Sequence, residues 1–432
     1  MMAQNQIPQT LAEKIFARAA GRPSVTAGEV IWVSPDRVTT PEVSFPAYVK
    51  RLRDIGVERF AHPERVVVAI DHEVPVHSKE GAERNRRTRL LARETGVGHL
   101  FDGEGITHPL VVERGLVRPL DFVAGADTHT TGMGGVGAIG IPFGIELTMI
   151  LATGRIWVTV PETVRVEYSG RCAPGVTARD MVLAAMARIP PDLADYRVIE
   201  LGGEAVRALS IPERMTLCGL CIDMGAKSAV TEADERTVAF LAERGATGLA
   251  TAAGDPGCRY HSVITIDAAG LEPQVSIPPS PTHVRPVSDL VGTPIQHAYI
   301  GSCASGSLAE LAAAADLLDG RRVHPDVQLL VIPATRRVQQ QAMETGVLAR
   351  LAAAGAMLSA PTCGPCFGGL AQLAAGETRI STSTRNDPGR MGSRDANIFL
   401  GSALTVAASA IAGHIADPRA YLRATAAEEA QP

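Results

Sequence analysis

A chain of 432 residues is several times longer than one minimal core needs, so two to four domains or subdomains are expected. Its 46% hydrophobic and 20% charged content fits a globular protein and excludes a disordered polymer. A net charge of -5 gives no general attraction for nucleic acid or an anionic membrane, which leaves small molecules as the better partners.

At the N-terminus, Glu13 and Lys14 stand where a signal peptide needs an apolar run, so export is not expected and the cytoplasm is. "FPAYVKRLRDIG" (45–56) has helical spacing and ends in glycine. "RVVVAI" (65–70) reads as a buried strand running into Asp71 and His72. In "ERNRRTRLLARE" (83–94) arginines alternate with glutamates, the pattern of a solvated helix face. His108, in "GEGITHPL", is a further candidate imidazole. "DFVAG" (121–125) is a second strand, delivering Asp127, Thr128 and His129. A carboxylate beside an imidazole fixes its tautomer and raises its basicity, although sequence neighbours need not pair with each other.

A domain transition is expected near "VPETVRVEYSGRCAPGVTARD", and "MTLCGLCIDMGAKSAV" reads as a buried helical segment. Five prolines in 271–292 exclude regular helix or central strand, so this stretch is taken as an interdomain linker. Three domains follow, at 1–160, 161–280 and 281–432. "HAYIG" (297–301) then leads into Ser302 and Cys303, and "VQLLVI" (327–332) is another buried strand. Ser307 and Glu310 have capping-box spacing and mark a helix start, beside which the Cys303 thiolate is stabilised by exposed N–H groups; the plain reading is a small buried residue. Alternating strands and helices make an α/β protein with mostly parallel sheets. Ligands bind beyond the carboxyl ends of such strands, so the three deliveries are expected to converge on one site.

"SAPTCGPCFGG" holds Cys363 and Cys366, either a redox dithiol or a pair of metal ligands. Pro361 is poor strand, against a thioredoxin-like unit; adding Cys303 gives three thiolates, one short of a closed zinc or cluster site. Cys218 and Cys221 form a second C-x-x-C, so a four-cysteine structural zinc competes. Residues 396–416 contain no Asp, Glu, Lys or Arg, but their Ser, Gly and Ala content favours a closely packed buried helix over a membrane span.

Taken together, "GADTHT", "GSCASG", "PTCGPCFGG" and "RNDPGRMG", in this order across nearly the whole chain, resemble the aconitase family, above all its two-subunit isopropylmalate isomerases. The resemblance implies three α/β domains around a cluster-binding cleft. It implies a [4Fe-4S] cluster on Cys303, Cys363 and Cys366, one iron lacking a protein ligand and acting as a Lewis acid. Asp71 and His72 match the pair that handles the departing hydroxyl's proton, and His108, His129, Asp127 and Asp223 match the remaining active-site groups. Arg385 and Arg390, with Thr128, match substrate-binding positions, where guanidinium forks suit carboxylates. The implied reaction is dehydration and rehydration of a 2-hydroxy di- or tricarboxylic acid. Isopropylmalate comes first, with homoaconitate and maleate- or dimethylmalate-type substrates behind it. A zinc-stapled structural protein and a cluster-bearing RNA-binding regulator are the readings from other classes.

Several positions depart from the family pattern. Ala304 and Ser305 replace a Thr-Asn, Thr384 and Asp387 replace an Asn and a Phe, Gly219 stands for Asn, and Asp223 stands for a longer Glu. The fourth family domain, which supplies the proton-abstracting serine, is not found, implying a separate small subunit.

Overall fold

The computed structural model describes residues 7–422. The chain divides into two compact units, the first running up to Arg171 together with Arg188–Ala269, the second comprising Cys172–Ala187 and the chain from Gly270 on.

In the first unit a five-stranded sheet has the order His99–Asp102, Val66–Ile70, Arg37–Pro41, Phe122–Gly125, Ile139–Pro142, with every neighbour parallel. Its strands are apolar on both faces. Val66 and Val68 join one core cluster and Val67 another, and Phe122 and Ala124 are divided from Val123 in the same way. That explains an unbroken hydrophobic run where a half-exposed strand would alternate. A second parallel sheet has the order Ser228–Thr231, Val198–Gly202, Thr163–Ser169, Ser262–Asp267. The helix Lys79–Thr95 buries Gly81, Asn85, Thr88, Leu91 and Ala92 and turns its arginines outward, Arg86 bonding Glu83 and Arg89 bonding Asp102, as a solvated face should.

The second unit is built on a seven-stranded sheet whose parallel centre is Asn397–Leu400, Thr378–Ser381, His297–Ile300, Gln328–Val331 and Met357–Leu358. The helices Leu308–Leu318 and Ala403–Ala412 pack their small residues into its core. Ser307 and Glu310 form the expected capping box.

Two expectations need correction. The proline-rich stretch 271–292 is not a linker: Gln274–Ser276 and Val284–Pro286 pair antiparallel and extend this sheet at its edge. Prolines are tolerated there because they precede the first of these strands, occupy the connecting loop and end the outermost strand. Residues 396–416 are not one helix, since Asn397–Leu400 is a strand and only Ala403–Ala412 is helical, started by the Ser402 cap. Ten residues rise about 15 Å, half a bilayer's apolar thickness. Among the described residues no helix is long and apolar enough to cross a membrane.

Candidate active site and thiol centre

In the first unit three neighbouring parallel strands each end in a carboxylate. Glu42 follows Arg37–Pro41, Asp71 follows Val66–Ile70, and Asp127 lies two residues beyond Phe122–Gly125. Glu42 is fully buried and accepts the backbone N–H groups of Asp71, His72 and Glu73 at 3.2, 2.9 and 2.9 Å. It thereby fixes the backbone that carries the Asp–His pair. Asp71 and His72 do pair with each other: Asp71 Oδ1 is 2.7 Å from His72 Nδ1, and Asp71 Oδ2 accepts both the N–H and the hydroxyl of Thr107 at 2.7 Å.

Burial opposes charge on His72, yet Asp71 and then Glu42 outweigh it and hold the imidazole well above its ordinary value. Asp71 is correspondingly lowered, burial being overcome by His72 and Thr107. Glu42, Asp71 and His72 offer ligand atoms within 4.8 Å of one another. Those carboxylate oxygens already accept amide and hydroxyl donors, an arrangement suited to holding an imidazolium.

The second group surrounds Asp127. Its Oδ1 accepts the His129 N–H at 2.9 Å and lies 3.5 Å from His108 Nε2. His129 Nε2 is 3.4 Å from Asp223 Oδ2, across to the short helical turn Cys221–Met224. Burial would raise Asp127, but His108, His129 and His72 together bring it down to about 2. For His108 the balance is reversed, since burial lowers it more than Asp127 raises it. The unit therefore holds an imidazole favouring the charged form and another favouring the neutral form, the separation that acid–base work needs. Thr128 is half-buried in the same turn.

This turn, Thr128–Val136, is glycine-rich because it lies against backbone. A Cβ on Gly134 would come within 1.9 Å of the Ala229 carbonyl oxygen, and one on Gly140 within 2.0 Å of the Thr130 carbonyl oxygen. Cys218 and Cys221 lie buried against the same region, and burial pushes both thiols up. They belong to the first unit, whereas Cys303, Cys363 and Cys366 belong to the second.

In the second unit Cys303 lies beyond His297–Ile300, four residues before the Ser307 cap, while Cys363 precedes and Cys366 lies within the single turn Gly364–Phe367. None of the seven cysteines, all among the described residues, is in a disulfide. Hydrogen bonding from Cys363 comes first among the influences that bring the Cys366 thiol well below the usual range, followed by the Arg390 charge and Thr384 against burial. Thr384 Oγ1 is 3.6 Å from Cys366 Sγ, and Arg390 Nε donates to the Cys366 carbonyl at 3.0 Å. The hydroxyl of Tyr299 and the side-chain amide of Asn386 are buried without a hydrogen-bond partner among the described residues. Tyr299 feels the charge of all three cysteines. Three thiols outside any disulfide, one already favouring the thiolate, with buried polar groups awaiting an acceptor, fit an iron–sulfur cluster.

Two of the three strand-end deliveries thus meet in the first unit, while in the second Cys303 joins Cys363 and Cys366 around Tyr299, with Thr384 and Arg390 at Cys366 and Arg385 next to Thr384 in the chain. Glu42 and Thr107 were missed in the sequence. Glu42 follows a short strand, "RVTTP", too polar and proline-terminated to draw attention. Arg179 was missed as well, because an arginine at the start of "ARDMVLAAMAR" reads as surface.

A family model described as "Aconitase family (aconitate hydratase)" matches residues 13–294 and 288–413. "3-Isopropylmalate dehydratase large subunit 1" of Methanopyrus kandleri is 43% identical over 417 residues, 96% of this chain and 100% of that one. "Probable 3-isopropylmalate dehydratase large subunit" of Methanothermobacter thermautotrophicus is 38% identical over 95% of this chain and 98% of its own. Among solved structures, holo aconitase X of Thermococcus kodakaraensis matches with a TM-score of 0.48 and 13% identity, covering 82% of this chain and 84% of that one.

Proposed function

The chain belongs to the aconitase family, and from that premise we propose that it is the large subunit of an iron–sulfur hydro-lyase that isomerises isopropylmalate by dehydration and rehydration. The observation that carries the reading is the thiol centre, where three cysteines outside any disulfide, on two chain segments, act together on one buried tyrosine hydroxyl.

Cys303, Cys363 and Cys366 would hold a [4Fe-4S] cluster. When bound, such a cluster supplies a Lewis-acidic iron without a protein ligand, which makes hydroxide a tolerable leaving group. The chain's own side chains do the rest. His72, charged through Asp71 and Glu42, is the proton donor for the departing hydroxyl and takes that proton back when water returns. Its Nδ1 is engaged by Asp71, so Nε2 is the nitrogen that gives the proton. Thr107 keeps Asp71 ionised, and Asp127, charged between His108 and His129, orients both rings. Asp223 holds His129 from its other nitrogen. Arg385 and Arg390 supply guanidinium groups for the substrate carboxylates, and Thr128 a hydroxyl.

The relatives are named as large subunits, which supports a separate small subunit contributing the remaining groups, among them the base that removes the carbon-bound proton. A cytoplasmic setting is part of the reading, supported by seven cysteines that form no disulfide.

The test is anaerobic reconstitution with iron and sulfide, recording visible absorbance and iron content beside Cys303→Ala. Broad brown absorbance that the variant loses supports the cluster, and turnover of isopropylmalate with the small subunit completes the case. A colourless protein, or one that binds only zinc, overturns it.

A further inference from the structure

Arg179 is 3% exposed, on the first turn of the helix Ala178–Arg188. A guanidinium buried so deeply needs acceptors, and those it finds are backbone carbonyls rather than one carboxylate. Nη1 donates to the Ser383 carbonyl at 2.9 Å, and Nη2 to those of Thr382 at 2.5 Å and Ala304 at 3.4 Å. Ala304 follows Cys303, whereas Thr382 and Ser383 precede Thr384 and Arg385.

One of the segments it joins is under strain. Ser302, next to Cys303, has φ 125°, a conformation that L side chains rarely adopt. It is held there by Thr382: the Ser302 hydroxyl donates to the Thr382 carbonyl at 2.8 Å, and Gly301 N donates to Thr382 Oγ1 at 2.8 Å. The Thr382 carbonyl therefore receives both Ser302 and Arg179. Burial lowers the Arg179 guanidinium from its ordinary value, while Glu310, Asp180 and the sulfurs of Cys303 and Cys366 act to keep its charge.

We infer that Arg179 is a positioning residue for the cluster, tying the Cys303 loop to the 382–385 segment while its buried positive charge raises the cluster's reduction potential. The inference rests on the cluster reading above. A fixed cation near the sulfurs stabilises the more negative reduced cluster, and no ordering of solvent is needed because the charge is held by the fold.

Two variants separate the tie from the charge. Arg179→Met removes both; Arg179→Lys keeps the charge but not the planar fork that reaches three carbonyls. In the cluster-free protein, amide hydrogen exchange over residues 301–305 and 382–386 should quicken at least tenfold in both variants. In the reconstituted protein, Arg179→Met should shift the reduction equilibrium at least tenfold toward the oxidised cluster, ~59 mV for one electron. Arg179→Lys should leave that equilibrium within a few-fold of the parent protein.

Unchanged exchange in either variant overturns the tie, and an unchanged potential in Arg179→Met overturns the electrostatic role. Should Arg179→Met not fold, Arg179→Lys still decides: slow exchange overturns the tie, and a potential as low as a neutral side chain would give overturns the role of the charge. A parent protein that takes up no cluster overturns the proposed function and the electrostatic role with it, while exchange in the cluster-free protein still decides the tie.

Discussion

Asp71 uses both carboxylate oxygens, Oδ1 toward His72 Nδ1 at 2.7 Å and Oδ2 toward Thr107 at 2.7 Å. The pairing raises His72, so the imidazolium persists above the ordinary value near 6.5 and is lost as pH rises through the folded-state value. Its contribution to stability has the same sign, complete below about 6.5 and lost on the alkaline side. Asp71→Asn should move the alkaline limb of the pH–rate profile to lower pH and reduce kcat by roughly 10²–10⁴. A profile whose alkaline limb does not move would remove His72 from the acid role.

Glu42 offers a different kind of test, because it acts on His72 both by its charge and by holding the backbone beneath it. In Glu42→Gln, one carboxylate oxygen becomes an NH₂ group facing either the N–H of Asp71 or those of His72 and Glu73. A loss of about 2 kcal/mol in unfolding free energy is expected, the scale of a hydrogen bond to a charged group. Denaturant unfolding measures it, and activity should fall with the displaced His72.

The two arginines of the 384–390 segment should separate. Arg390 bonds the Cys366 carbonyl, so Arg390→Gln should weaken both iron retention and substrate binding. Arg385→Gln should leave iron content intact and raise KM by about 10–100-fold, the value of a charged hydrogen-bond pair. Iron assays and steady-state kinetics on the same preparations distinguish the two.

Gly134 is a packing prediction. An added methyl would come within 1.9 Å of the Ala229 carbonyl oxygen and 3.0 Å of Cys218 Sγ, and neither flanking segment can retreat without disturbing the turn that carries His129. Gly134→Ala should cost about 3 kcal/mol, read as a lowered urea midpoint.

Much of this was legible in the residues. "RVVVAI" and "DFVAG" revealed strands because burial on both faces demands continuous apolar runs, and the polar residues that follow had to lie at strand ends. The Ser307–Glu310 spacing located a helix start because capping is local chemistry. Residues 396–400 misled for the converse reason. Their apolar content suits a strand or a helix equally, and only pairing with Thr378–Ser381 and Ser276 selects the strand. The prolines of 271–292 argued correctly against a central strand but could not reveal an edge waiting to be extended.

The sequence alone determined which side chains carry reactive groups and where the chain must turn to present them, since motif, cap and strand periodicity act over a few residues. Tertiary structure decided the partnerships: that Asp71 pairs with its own neighbour whereas Asp127 serves His108 and His129, that Glu42 lies beneath three amides, and that a buried Arg179 finds carbonyls from two distant segments. Such charges and donors are satisfied only by groups that packing brings to hydrogen-bonding distance, and separation along the chain does not encode that distance.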